Sequence, residues 1–113
     1  MTDLSDNWDD FLKSIGNAAG DLAQNLFEDW RDEAREDAIE FAELAKEKLP
    51  KWTEALAQGH IDKAEFSLLV GSLEALARLN ALKAKGLAKQ RLEQFRVGLI
   101  SIVIRAAFAV VGV

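Results

Sequence analysis

The sequence has 19 Asp and Glu residues that could act as acids or bases, but they look like a solvated helix surface and not an acid/base pair. His60 is the only histidine, and none of the 113 residues is a cysteine. A histidine works as a general base beside a nucleophile or a second acid, and no sequence motif places either next to His60. The Gly-x-Ser-x-Gly motif, the phosphate-binding loop and the dinucleotide fingerprint are absent. We therefore predict that the protein is not an enzyme, with no cofactor, metal site or small-molecule substrate.

The segment 59–66, Gly-His-Ile-Asp-Lys-Ala-Glu-Phe, resembles the second half of an EF-hand calcium loop. When Glu65 is placed at the last loop position, Leu56 falls where calcium requires an oxygen ligand. The same residues fit a joint between two helices. Gly59 suits the position after a helix end, and Asp62 with Glu65 forms an acidic variant of the capping box. We predict a structural turn at this point and no calcium site.

Basic side chains recur in the second half at helical spacing. They are Arg78, Lys85, Lys89 and Arg96, separated by 7, 4 and 7 residues, which on one continuous helix would form a basic ridge. Such a ridge is a solvated surface, a contact for an acidic helix or a contact for anionic lipid headgroups. Residues 1–50 carry fourteen acidic and five basic side chains, against five and nine in residues 51–113. Because the acidic half repels nucleic acid and no aromatic residue interleaves the ridge, we expect no nucleic-acid partner.

Two arginines lie on the apolar side of the predicted C-terminal helices. On a continuous helix, Arg91 and Arg105 project among apolar residues, where an unpaired guanidinium costs several kcal/mol. The candidates for a buried carboxylate partner, from the same or another chain, are Glu33, Asp37 and Glu40. The alternative is a helix that rotates or breaks at Gly86 or Gly98, so that both arginines reach water.

Amphipathic helices have to position these side chains. Residues 1–49 form an acidic segment with apolar residues three or four positions apart, which is typical of a helix facing a core. The apolar side shifts after Trp30, so the helix is interrupted near 30–33 or its halves face different neighbours. Residues 50–61 predict a short helix and turn, and residues 62–96 an amphipathic helix, either continuous or joined to the next near Gly86. The predicted fold is all-α, with long amphipathic helices in a helical hairpin or an elongated bundle.

Residues 97–113 are apolar on every side of a helix, with Arg105 as the one charged residue. Such a segment is buried in protein or in lipid. The candidate interface therefore lies within it: Leu99, Ile100, Ile102, Val103, Ile104, Arg105, Phe108, Val110 and Val111.

Three functions are consistent with this pattern. The first is a non-enzymatic, self-assembling subunit of a homo-oligomeric ring, tube or filament, joined by the apolar helix and by acidic and basic complementarity. The alternatives are a protein that inserts into a lipid bilayer, as a pore or an anchor, and a soluble helical adaptor. The acidic N-terminus, Met-Thr-Asp-Leu-Ser-Asp, lacks the features of a cleavable signal peptide. We therefore expect a location in the cytoplasm or on the cytoplasmic side of a membrane.

Overall fold

A computed structural model describes residues 7–112, and these contain helices and no strand. The predicted all-α fold is confirmed, and its extents of 42 × 23 × 22 Å make it an elongated bundle. Residues 1–6, the start of the predicted acidic segment, and Val113 lie outside the described residues. The helices are α1 (Trp8–Phe27), α2 (Arg31–Leu44), α3 (Leu49–Ala57), α4 (Lys63–Gly71), a 3-10 turn (Glu74–Leu76), α5 (Asn80–Lys83) and α6 (Lys89–Val111).

Helices α1 and α2 form a hairpin in which the two backbones come close together. Gly16 and Gly20 of α1 lie against α2, where an added Cβ would be 3.5 Å from Ile39 and 3.4 Å from Arg35. The helix is interrupted where the apolar side shifts, because Glu28 and Trp30 adopt left-handed backbone conformations with φ of 61° and 64°. The predicted interruption near residue 30 is confirmed.

The joint between α3 and α4 follows the local sequence signals. Asp62 Oδ1 accepts a hydrogen bond from the Glu65 backbone N–H at 2.7 Å, and Glu65 Oε1 accepts one from the Asp62 N–H at 3.2 Å. This is the predicted capping box. Gly59, with φ of 77°, allows the chain to leave α3.

Residues 62–96 do not form one continuous helix, so that prediction is wrong. Helix α4 ends at Gly71, and Leu79 then adopts a left-handed conformation with φ of 56° before the four-residue helix α5. Leu79 is fully buried, so its packing in the core stabilises this break in the helix. The predicted joint near Gly86 is present, because Gly86 has φ of 77° and α6 begins at Lys89.

Helix α6 buries one side against α1, α3 and α4. Its buried residues are Leu92, Phe95, Leu99, Ile102, Val103 and Ala107. The ring centroids of Phe95 and Phe27 of α1 are 6.3 Å apart, and those of Phe108 and Phe66 of α4 are 5.7 Å apart. At Gly98 an added Cβ would lie 2.5 Å from Leu22 Cδ2, so α1 crosses α6 very closely. The chain thus buries this side of the apolar helix by itself and covers the rest of the helix only in part.

Candidate interaction surfaces

One side of α6 carries a row of apolar residues that the chain covers only in part, which we call the outer stripe: Val97, Ile100, Ile104, Phe108 and Val111. Steps of three and four residues place them along one side of the helix. Val97 is 61% exposed, and the other four are half-buried. On the adjacent helix α4, Leu68 is 76% exposed. Large apolar side chains are therefore accessible to a partner on this side of the bundle.

The structure divides the predicted interface residues into two groups. Leu99, Ile102 and Val103 lie in the core of the chain, so in this fold they cannot contact another molecule. In the second group Arg105 is exposed. The other members are half-buried apolar residues: Ile100, Ile104, Phe108, Val110 and Val111. Sequence reasoning omitted Val97, although its spacing from Ile100 and Ile104 on one helical side was a usable signal.

Helix α6 is long and apolar enough to cross a membrane, and no other helix in residues 7–112 is. Its 23 residues span about 34 Å, against about 30 Å of hydrocarbon. The mean hydropathy of its most apolar window is 1.7, and 28% of that window is buried. Most of the other residues in this window are half-buried, so the chain covers α6 in part.

Asp37 is buried and works as a cap for α5. Its two carboxylate oxygens accept hydrogen bonds from the backbone N–H groups of Ala81 and Leu82, each at 2.9 Å. The carboxylate is 3% exposed, and burial raises its pKa above the ordinary value of 3.8, while the two backbone hydrogen bonds oppose that shift. Glu40 and Glu36 raise the pKa further by repulsion.

Within residues 7–112 of one chain, neither Arg91 nor Arg105 pairs with Glu33, Asp37 or Glu40, and pairing with another chain stays a prediction. Arg91 is exposed, donates to the backbone oxygen of Leu26 at 3.1 Å and lies 6.0 Å from the ring centre of Phe27. Arg105 is exposed beside a cavity of about 260 Å³ between α1 and α6, which Ser101 also lines. Both arginines therefore reach water, as the alternative prediction had it.

The remaining predicted partners have other environments. Glu33 pairs with Lys85 at 3.4 Å. Glu40 has a buried carboxylate oxygen, Oε1, that accepts no hydrogen bond. Within residues 7–112, neither carboxylate pairs with Arg91 or Arg105.

The predicted basic ridge does not form, because its four residues do not lie on one continuous helix. Arg78 precedes α5 and Lys85 follows it, while Lys89 and Arg96 lie at the start and one-third of the way along α6. Arg96 Nε donates to the backbone oxygen of Ala77 at 3.1 Å, and its guanidinium also pairs with Glu93.

A basic cleft replaces the ridge. Arg78, Lys83 and Arg96 line a space of about 550 Å³ together with small residues and Glu74. Among residues 7–112, Arg78, Lys83 and Lys89 make no ion pair. Sequence reasoning missed Lys83, since only the folded α5 brings it beside Arg96.

Within residues 7–112, no three His, Cys, Asp or Glu side chains come together in a way that could hold a metal ion. His60 is exposed in the turn between α3 and α4. No known protein family, curated protein or solved structure matches the chain.

Proposed function

We propose that this protein is a non-enzymatic subunit of a homo-oligomer, and that two copies join through the outer stripe of α6. The observation that supports this most directly is an apolar row along a long helix that its own chain covers only in part. A second copy of the same stripe is a chemically matched cover, because interdigitating Val, Ile and Phe side chains remove apolar surface from water.

The surroundings of the outer stripe also suit a protein interface. Gln94, Ser101 and Arg105 are exposed beside it on α6. An apolar centre with a polar rim is the usual anatomy of a protein–protein contact. Arg105 would thus lie at the rim, where its charge stays solvated.

The test is the mass of the purified full chain in solution without detergent, measured by light scattering after size exclusion. We expect the wild type to exceed the 12.5 kDa of one chain severalfold. The variant Val97→Asp with Ile104→Asp should lose the species joined through the stripe, and its mass should fall by half or more. Val97→Asp alone, at a 61% exposed position, checks that the loss does not arise from unfolding.

Leu44→Asp is the matched control, because Leu44 is also an exposed apolar residue (41%) but lies on α2. It should leave the mass unchanged. A wild type of 12.5 kDa at every concentration tested would contradict the proposal, as would an outer-stripe variant of wild-type mass.

The length and apolar composition of α6 favour membrane insertion as a second candidate function. In that case α6 leaves the core, and Arg105 at mid-depth costs about 2.5–3.5 kcal/mol. The wild type should then float with lipid vesicles and need detergent for extraction, whereas the Val97→Asp and Ile104→Asp variant should not float. A single copy that neither associates nor floats would leave the soluble adaptor as the function.

A further inference from the structure

The turn between α1 and α2 carries acidic side chains, which we call the acidic turn: Glu28, Asp29 and Asp32. All three are exposed. Asp29 accepts a hydrogen bond from the Trp30 N–H at 2.7 Å, and none of the three pairs with a cation within residues 7–112. The left-handed conformations of Glu28 and Trp30 fix the shape of this turn.

The basic cleft adjoins this end of the bundle, because Arg96 follows Arg91 on α6 by five residues, about 7.5 Å of helix, and Lys83 precedes Lys85 by two residues. The start of α6 is held beside the acidic turn by the hydrogen bond from Arg91 to the Leu26 backbone oxygen (3.1 Å). The Lys85–Glu33 ion pair (3.4 Å) holds the end of α5 there as well. One end of the molecule therefore presents an acidic and a basic surface, and within residues 7–112 Glu28, Asp29, Asp32, Arg78 and Lys83 form no ion pair.

The placement of the two surfaces decides what kind of contact they can make. Complementary surfaces at opposite ends of a subunit build a chain of copies, whereas surfaces side by side at one end can satisfy each other in pairs. A two-fold axis between the acidic turn and the basic cleft brings each surface of one copy against the opposite surface of the other. Such a contact is closed after two copies.

We infer that a second copy of this chain docks end to end at this surface, with the acidic turn of each copy against Arg78 and Lys83 in the basic cleft of the other. The inference rests on the proposed homo-oligomer but uses a contact separate from the outer stripe. Because the groups are exposed, salt should weaken the contact, with a screening length of about 8 Å at physiological ionic strength.

Charge reversal tests the contact in the full chain. The cleft variant is Arg78→Glu with Lys83→Glu, and the turn variant is Glu28→Lys with Asp32→Lys. Each is made in the Val97→Asp and Ile104→Asp background, which removes the outer-stripe contact. That background should remain a dimer, and either charge variant should weaken dimerisation by about tenfold or more through repulsion between like charges.

Recombining the variants distinguishes pairing from unfolding. An equimolar mixture of the cleft and turn variants should form a heterodimer, because both of its contacts are again between opposite charges. A chain that carries all four changes should recover the homodimer. Lys48→Glu with Lys51→Glu, exposed just before α3 and within it, is the control and should keep the dimer.

Several results would overturn the inference. If the background variant is already a single chain of 12.5 kDa, the outer stripe is the whole interface and the proposed function stands without the end contact. A mixture that fails to form heterodimer would exclude charge pairing. If the cleft variant instead loses binding to vesicles containing anionic lipid, at unchanged mass, the occupant of the cleft is a membrane surface.

Discussion

In the α1–α2 hairpin, apolar side chains meet across a narrow interface and most charged ones lie at the surface, with Asp37 as a buried exception. Helix α6, in contrast, is apolar on most sides of its C-terminal half and is covered only in part. Ile15 and Ala19 of α1 and Ala38 and Phe41 of α2 are fully buried, and each helix has an obvious outer side. Val97 of α6 and Leu68 of the adjacent helix α4 are, in contrast, large apolar side chains that are mostly exposed.

The difference shows what an amphipathic pattern contributes. A helix with one apolar side has one orientation that removes it from water, so its sequence determines its packing. A helix that is apolar all round can bury nearly the same apolar area in several orientations. The helices that pack against it then determine which of its sides stays exposed. The first kind stabilises the monomer, and the second leaves surface for a partner.

The largest expected effect compares one residue from each region. Phe41→Ala should lower the free energy of unfolding by about 3–5 kcal/mol, because it empties a fully buried site. Val97→Ala should change it by about 0.5 kcal/mol or less at a concentration where the protein is monomeric. Urea denaturation measures both values. Equal losses would mean that the outer side of α6 is as well covered as the hairpin.

The cap that ties α5 to the hairpin should have the next largest effect. Asp37→Ala leaves the N–H groups of Ala81 and Leu82 unpaired, and we expect a loss of about 1–3 kcal/mol after relief of the buried charge. Amide hydrogen exchange at these two positions should quicken. Glu36→Ala, at the exposed preceding residue, is the control and should change stability by about 0.5 kcal/mol or less. Similar losses for both variants would show that the hydrogen bonds to α5 contribute little.

A change of pH is expected to have a smaller effect on the free energy of unfolding. The pKa of Asp37 is raised in the folded chain, so between 3.8 and the folded pKa the native state holds a proton that the unfolded state has released. Its contribution to stability is therefore complete below 3.8 and is lost as the pH rises through the folded pKa. Asp37→Asn should remove this part of the pH dependence in denaturation curves. A variant with the wild-type slope over that range would assign the dependence to other groups.

The smallest effects concern glycines at the two helix crossings. Gly16→Ala should stabilise the hairpin by about 0.5–1 kcal/mol, since its Cβ meets Ile39 at an ordinary 3.5 Å and alanine favours the helix. Gly98→Ala should gain less or lose stability, because its Cβ would lie 2.5 Å from Leu22 Cδ2. Thermal denaturation compares the two. A larger gain at Gly98 would mean that Leu22 moves aside freely.

The sequence was sufficient wherever the determining contacts are local. The capping box of Asp62 and Glu65 needs only four consecutive residues, so the joint between α3 and α4 could be predicted. The breaks between Gly71 and α5 could not, because Asp37 fixes α5 from 44 residues away and Leu79 is a residue type that seldom adopts a left-handed conformation.

The candidate surfaces divide in the same way. The apolar character of α6 was evident from its composition, but the choice of Val97 over Leu99 as the exposed position depends on where α1, α3 and α4 lie. The basic cleft depends entirely on the fold, which brings Lys83 beside Arg96.

The contact between Arg91 and the Leu26 backbone joins residues 65 positions apart, whereas α1 and α2 are connected by a three-residue turn. Closing a long loop costs more chain entropy and takes longer than forming a local hairpin. We therefore expect the hairpin to form first and α6 to dock last. During that interval all sides of α6 are open, so its docking competes with capture by other newly made copies, and refolding at high dilution should give the greater yield of correctly folded chains.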